Sequence, residues 1–226
     1  MTGRRRAAPL LALGLPLGLA LGLASCAADG SSGLPSAGIV SPAIAEAYLP
    51  LASRDFLVID RWGAALVIAP HVAVTNAHNA NLIPSGAILG RSEDYDLLFF
   101  RTPLADPPPI AQARAGQHVI AYGQGADGAL REAQGVVRSV AARVAARCAS
   151  CPQQVAIAFD AEAGKGFSGG PVVDGSSRAV IGLVFGYRDG EAKGGGRRMF
   201  AYDIDLVLSE MRRLRISPST SRAGVR

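Results

Sequence analysis

The sequence is poor in the residues that hold metals, with three cysteines and three histidines in 226 residues. Cys148 and Cys151 have C-x-x-C spacing, but no other cysteine and no nearby histidine completes a four-ligand zinc site. The βαβ setting of a thioredoxin-like redox motif is missing as well. We therefore expect no metal and no other cofactor.

The chain also has little net charge, and this argues against a nucleic-acid partner. The formal net charge is +5, and without the three arginines at positions 4–6 it would be +2. A nearly neutral chain offers no extended basic surface for phosphates. The remaining cluster of positive charge is near the C-terminus, where we expect a solvated end, or alternatively a weak contact with anionic lipid. Its members are Arg212, Arg213, Arg215, Arg222 and Arg226.

The first 25 residues resemble an export signal. Three arginines precede an apolar stretch over residues 8–25, which is interrupted by glycines and a proline that weaken a permanent transmembrane helix. The segment Leu23-Ala24-Ser25-Cys26 resembles the lipobox of bacterial lipoproteins. That resemblance implies a lipidated Cys26 as the new N-terminus and a stable membrane anchor. Ala27 after the cysteine favours the periplasmic face of the outer membrane.

Export also bears on the remaining cysteines and on the residues after the anchor. An exported chain enters an oxidising compartment, so we predict a small structural disulfide between Cys148 and Cys151. Residues 27–42 are rich in Gly, Ser, Pro and Ala, and we predict that residues 26–53 form the lipidated cysteine and a flexible tether.

Many short strands are predicted after the tether, with no helices between them. Apolar runs rich in Val, Ile and Phe alternate with Gly, Pro, Asp and Asn, which is typical of an all-β barrel or sandwich. Pro107, Pro108 and Pro109 cannot lie in a central strand and divide two β subdomains. Helical spacing of apolar residues predicts one C-terminal helix over 203–214. The predicted domain spans 54–216, with β subdomains at about 54–106 and 115–202, and 217–226 is a disordered tail.

Three motifs carry the candidate chemistry. VTNAHN contains His78, DYDLLFF contains Asp96, and GKGFSGGPVVD contains Ser168 in a glycine-rich turn. A serine hydroxyl becomes nucleophilic when an imidazole takes its proton and a carboxylate orients that imidazole. Gly166 and Ser168 could donate backbone N–H groups to an oxyanion. We expect Gly169 and Gly170 to leave room for an approaching substrate.

In their order along the chain and in their residues, these motifs resemble those of the trypsin-like, chymotrypsin-fold serine peptidases, especially bacterial Deg-type and glutamyl-endopeptidase-like forms. The resemblance covers about residues 54–205. It implies two packed antiparallel β-barrels, with His78 as general base, Asp96 as orienting acid, Ser168 as nucleophile, and Gly166 and Ser168 as oxyanion donors. Phe167 departs from the digestive members, whose aspartate at this place takes part in zymogen activation.

The same resemblance suggests where a substrate side chain binds. The run AVIGLVFG is similar to the strand that lines the primary specificity pocket, which implies that Val184, Phe185 and Gly186 are wall residues. Glu162 precedes the serine at the distance typical of the pocket floor, where an inward carboxylate would favour basic side chains.

Several rival assignments are weaker. GFSGG also fits the nucleophile elbow of α/β-hydrolases, but that fold needs a histidine after the serine, and all three histidines precede Ser168. A subtilisin order through Asp60 requires alternating helices and strands that the pattern lacks. GQGADG at 123–128 matches a dinucleotide motif, yet we interpret it as a hairpin turn. Asp94 and Glu93 remain alternatives to Asp96 as the acid.

The sequence thus predicts a serine endopeptidase that hydrolyses peptide bonds through an acyl-enzyme, with protein or peptide substrates and a membrane contact through Cys26. The alternative is a catalytically inactive envelope lipoprotein of the same fold that acts as a binding module. Nothing in the sequence indicates an oligomeric state.

Overall fold

Runs of β-branched and aromatic residues form short antiparallel strands in this protein. The structure is a computed structural model that describes residues 36–38, 40–53, 61–125, 128–145, 153–192 and 194–218. The strands are β1 (Tyr48–Ser53), β2 (Arg61–Ala69), β3 (Val72–Thr75), β4 (Ile88–Arg91), β5 (Leu98–Arg101), β6 (His118–Gln124), β7 (Leu130–Val144), β8 (Gln154–Ala161), β9 (Pro171–Asp174), β10 (Val180–Arg188) and β11 (Arg198–Asp203). The helices are α1 (Pro42–Ala47) and α2 (Ile204–Arg213), with short 3₁₀ helices at Ala77–Leu82 and Ser85–Ala87.

The strands form two sheets that divide the chain into halves. The first is five-stranded in the described residues, with the order β1-β2-β3-β5-β4. The second closes into a six-stranded barrel, β10-β11-β8-β7-β6-β9. The predicted fold class, all-β in two parts with a C-terminal helix, is confirmed. The strands on either side of the GQGADG segment, β6 and β7, pair antiparallel, as expected for a hairpin rather than a dinucleotide site.

One predicted boundary is wrong. We predicted a flexible tether over residues 26–53, but α1 and β1 occupy Pro42–Ser53. Pro42 lies at the start of α1, where its missing N–H costs nothing, and Ile44 and Ala47 are buried. β1 then pairs with β2 along its whole length. The folded domain therefore begins before residue 54. Within the described ranges, neither α-helix is long and apolar enough to cross a membrane.

Other predictions fall on residues that the structure does not describe. These are the export signal and Cys26, the cysteines 148 and 151, the first residues (54–60) of the predicted domain and the tail beyond 218. They stay predictions.

A shared core joins the two sheets and α2. Leu66 and Phe99 of the first sheet, Leu183 and Tyr202 of the barrel, and Val207 of α2 are all buried in one apolar cluster. Burial of this apolar surface is the main force that fixes the halves against each other. The linker between them contacts the barrel too, since Val180 N donates to Pro109 O at 2.8 Å.

The C-terminal helix is anchored by a buried carboxylate. The Asp203 side chain caps α2 by accepting from the Asp205 amide at 2.8 Å. Glu210, 6% exposed, accepts from Ser92 Oγ at 2.7 Å and from the Arg213 guanidinium at 2.8 Å. Burial raises the pKa of Glu210, but the hydrogen bonds from Arg213 and Ser92 outweigh it and hold that pKa below its ordinary value. The helix is thereby tied to the loop between β4 and β5.

Candidate active site

His78 lies just after β3, on the 3₁₀ helix Ala77–Leu82. Asp96 lies in the loop between β4 and β5, two residues before β5 begins. The main chains of the two segments are joined, because Ala77 N donates to Asp96 O at 3.1 Å and Asn76 Nδ2 donates to the same oxygen at 3.0 Å. The pairing of β3 with β5 therefore brings the two candidate residues together.

The imidazole and carboxylate form a direct hydrogen bond. His78 Nδ1 is 2.5 Å from Asp96 Oδ2, and the His78 amide donates to Asp96 Oδ1 at 3.1 Å. The Asp96 side chain is 13% exposed and the His78 side chain 47% exposed. A carboxylate at Nδ1 favours a proton on that nitrogen and leaves Nε2 as the hydrogen-bond acceptor of the ring.

The structure also separates Asp96 from its two rivals. Asp94 Oδ2 is 3.9 Å from Arg213 Nη2, and Glu93 is exposed. Of these three carboxylates, the structure brings Asp96 to His78.

Ser168 belongs to the turn before β9, and its main chain is bound to the first sheet. Ala64 N donates to Ser168 O at 3.0 Å, and Asn79 Nδ2 donates to the same oxygen at 3.1 Å. Asn79 is 5% exposed and also donates to Thr75 Oγ1 at 3.0 Å, while Thr75 Oγ1 donates to Ala64 O at 2.7 Å. The residue that follows His78 thus contacts the main chain of Ser168 directly.

Asn79 and Thr75 were not among the residues predicted from the sequence. Their type and their place beside His78 carry no signal of a contact with residue 168, which lies 89 positions from Asn79. The one available hint is chemical, since a buried amide in an apolar core needs a partner.

The main-chain amides of the turn around Ser168 differ in their hydrogen bonding. Phe167, Gly169 and Gly170 donate to main-chain carbonyls at 2.8–3.2 Å. By contrast, the amides of Gly166 and Ser168 have no hydrogen-bond acceptor among the described residues. Gly166 has a φ of +88°, which an L residue rarely adopts. Amides without an acceptor are the kind of donor that an oxyanion hole requires, and the assignment of Gly166 and Ser168 to that role stays a prediction.

Gly169 and Gly170 do not leave room for substrate, contrary to our expectation. A Cβ atom at Gly169 would lie 2.0 Å from Ala64 O and 2.4 Å from Thr75 Oγ1. At Gly170 it would lie 2.0 Å from Tyr122 O. The space at these glycines is filled by the main chains of β2 and β6, so they permit close packing of the turn against both sheets.

Replacing Gly169 by alanine is therefore expected to destabilise the fold by about 3 kcal/mol, because the new methyl meets a carbonyl and φ is +83°. Gly194→Ala is the matched control, since φ is +84° there and nothing lies within 4 Å. Urea unfolding of both variants measures the difference. Equal losses of stability in the two variants would show that the close approach at Gly169 costs nothing.

The residues predicted to line the specificity pocket differ in their burial. Val184 is buried, whereas Phe185 and Gly186 are half-buried, and Val184 N and O both bond to the turn residues Gly169 and Gly170. Glu162 is exposed, and its Oε1 lies against the main chain of the β10–β11 hairpin, 3.4 Å from Arg197 N. The guanidinium of Arg197 donates to Ala163 O at 2.8 Å. The neighbourhood of Glu162 therefore contains a positive charge.

Side chains that could hold a metal ion do not cluster in the described part of the chain. There, no group of three or more His, Cys, Asp or Glu side chains is arranged to hold an ion.

Comparisons with known proteins support the fold. No protein-family model matches the chain, and no curated protein sequence is similar to it. Among solved structures, the Rv3671c protease of M. tuberculosis in its active form is similar over 82% of this chain and 92% of that one, with a TM-score of 0.61 and 20% identity. The MamO protease domain of Magnetospirillum magneticum is similar over 75% and 97%, with a TM-score of 0.57 and 16% identity.

A third neighbour is the HtrA-type protease AlgW with a tripeptide, over 76% of this chain and 61% of that one, with a TM-score of 0.60 and 19% identity. At such identities the likeness establishes the fold, which is the chymotrypsin-like arrangement of two β subdomains with a C-terminal helix.

Proposed function

We propose that the protein is a serine endopeptidase that cleaves peptide bonds through an acyl-enzyme, with Ser168 as nucleophile, His78 as general base and Asp96 as the orienting acid. The proposal rests mainly on the contacts between the segment that contains His78, the Asp96 loop and the turn that contains Ser168. His78 Nδ1 bonds to Asp96 at 2.5 Å, and the adjacent Asn79 bonds to the Ser168 main chain at 3.1 Å. The segments that carry the three residues of the proposed triad therefore contact one another, which supports the proposal.

The chemistry assigns each group one task. His78 Nε2 takes the proton of Ser168 Oγ while Oγ forms a bond to the carbonyl carbon of the substrate. The electron pair of the carbonyl moves to its oxygen, which the amides of Gly166 and Ser168 stabilise. His78 then gives the proton to the leaving amine, and the bond between carbon and nitrogen breaks. Water repeats the sequence on the acyl-enzyme and releases the acid.

Asp96 has an electrostatic and orienting role in this scheme. It stays ionised, keeps the Nδ1 proton on the side away from Ser168, and stabilises the imidazolium that forms. Its low exposure strengthens that interaction relative to one in open water.

Peptides are the substrate class that fits this assignment. Protease neighbours of the same fold support it, and AlgW was crystallised with a tripeptide. The surroundings of Glu162 do not favour a preference for basic side chains at the cut. Glu162 is exposed and lies beside Arg197, so it offers no isolated negative charge in an enclosed pocket.

We also propose that the enzyme works at the cell envelope, anchored through a lipidated Cys26 on the periplasmic face of the outer membrane, with a disulfide between Cys148 and Cys151. This part rests on the sequence of the export segment and on the C-x-x-C spacing.

The test is hydrolysis of a mixed peptide library by the purified protein, with products identified by mass spectrometry. Cleavage at discrete bonds is expected, together with an initial burst of product from an activated ester, as an accumulating acyl-enzyme requires. A folded protein that binds peptides and leaves them intact would instead support the inactive binding module.

A further inference from the structure

The loop that carries Asp96 is attached to the barrel through a buried tyrosine. Asp96 N donates to the hydroxyl of Tyr202 at 3.0 Å, and that hydroxyl donates to Gln154 Oε1 at 3.1 Å. Gln154 also contacts the same loop, because its Nε2 donates to Asp94 O at 3.1 Å. Tyr202 is on β11 and Gln154 begins β8, so these bonds join the barrel to a loop of the first sheet.

The burial of these polar groups calls for an explanation. Tyr202 is fully buried and Gln154 is 3% exposed. Burying a hydroxyl and an amide is costly unless each finds a partner, and a phenylalanine at 202 would pack the same core without that requirement. The hydrogen-bond directions also determine one another, because a hydroxyl that accepts from Asp96 N must send its own proton elsewhere.

Aromatic packing fixes the position of the hydroxyl. The Tyr202 ring stacks on Phe185, with centroids 4.2 Å apart and planes 20° apart. Tyr95, the residue before Asp96, packs edge-on against the same ring, with centroids 5.7 Å apart. The ring therefore has little freedom to turn, and its oxygen is a fixed acceptor for the Asp96 main chain.

A second anchor holds the other end of the loop. Tyr95 N donates to Ser92 Oγ at 3.0 Å, and Ser92 Oγ donates to the buried Glu210 of α2 at 2.7 Å. Loss of the Tyr202 hydroxyl would thus leave the loop attached through α2. What would change is the position of Asp96 itself, whose two carboxylate oxygens both bond to His78.

We propose that Tyr202 is a positioning residue, whose hydroxyl, oriented by Gln154, holds the Asp96 main chain where its carboxylate meets His78 Nδ1. The proposal rests on the proposed function, since it gives Tyr202 a task in catalysis. Tyr202 itself does not touch a substrate in this scheme. It acts through Asp96, because a small displacement of the carboxylate changes how well the imidazole is aligned.

The test uses Tyr202→Phe, which keeps the ring and removes the oxygen. We expect an intact fold, a kcat on the best peptide of the library lowered about tenfold, and an unchanged KM. We also expect the proton NMR resonance of the imidazole Nδ1–H of His78 to shift or broaden. Tyr48→Phe is the matched control, because the buried Tyr48 hydroxyl has no hydrogen-bond partner in the described part of the chain. It should leave kcat and the resonance unchanged.

Gln154→Met is the second variant, and it carries the test if Tyr202→Phe does not fold. It keeps the Tyr202 ring and removes the bonds to Tyr202 and Asp94. We therefore expect kcat to fall and the His78 Nδ1–H resonance to shift or broaden, as in Tyr202→Phe. A wild-type kcat together with an unchanged resonance in a folded variant would overturn the proposal, even if stability fell. The resonance needs no substrate, so the proposal is tested separately from peptidase activity.

Discussion

Ser168→Ala is expected to lower kcat for peptide hydrolysis by about a millionfold while the fold and KM stay unchanged. Alanine removes only the oxygen that forms the bond to the substrate. The contacts of the turn involve the Ser168 carbonyl, which receives bonds from Ala64 N and Asn79 Nδ2, and these persist. Steady-state hydrolysis of the best library peptide measures the loss, and thermal unfolding checks the fold.

The control for this change is Ser176→Ala. Ser176 is an exposed serine in the turn between β9 and β10, and its replacement should leave kcat at the wild-type value. Residual activity of Ser168→Ala above one per cent would mean that another group performs the attack. That result would contradict the assignment of the nucleophile even if the protein is a peptidase.

Asp96→Asn is expected to lower kcat roughly ten-thousandfold at neutral pH. The amide has nearly the shape of the carboxylate, so the loop and the main-chain bond to Tyr202 are retained. An asparagine oriented to donate to Nδ1 favours the imidazole tautomer with its proton on Nε2, which then cannot accept from Ser168. The measurement is again kcat on the library peptide.

Glu93→Gln serves as the control for Asp96→Asn. Glu93 lies three positions earlier in the same loop, is exposed, and was a rival for the acid on sequence grounds. Its replacement should change kcat little. If Glu93→Gln lost as much activity as Asp96→Asn, the orienting acid would not be the residue that the 2.5 Å contact indicates.

The parts of the fold that could be predicted are those with local signals. Strands β2–β6 and β8–β11 coincide with apolar runs bounded by turn residues, whereas β7 is longer and more polar than such a run. Helix α2 shows helical spacing with an aspartate at its start. His78, Asp96 and Ser168 stand in short motifs whose composition suits their chemistry. Each of these inferences needs only a few neighbouring residues.

The N-terminal segment was mispredicted because its local composition conflicts with its tertiary contacts. Residues 36–53 contain Gly, Ser and Pro, which is typical of linkers, yet Ile44 and Ala47 are buried and β1 pairs with β2. Pro50 is compatible with a strand there because β1 lies at the edge of its sheet. Tertiary burial outweighs the low propensity of the segment.

The supporting residues of the site could not be predicted because their partners are distant in the chain. Tyr202 and Asp96 are 106 positions apart, and Ser92 and Glu210 are 118 apart. Such residues look like ordinary core or helix positions in the sequence. The need for glycine at position 169 could not be predicted for the same reason. The Ala64 carbonyl that excludes a side chain there lies in the other half of the chain and approaches Gly169 only in the folded protein.

The assignment of Ser168 as a nucleophile activated by His78 is tested most directly by covalent labelling with a fluorophosphonate, with the modified residue located by mass spectrometry. Attack of Ser168 Oγ on phosphorus expels fluoride and requires the proton transfer to His78 that peptide cleavage also needs. A single adduct on Ser168 is expected in the wild-type protein, and the adduct should be lost in His78→Ala. An unmodified Ser168 in folded wild-type protein, or equal labelling in His78→Ala, would contradict the assignment.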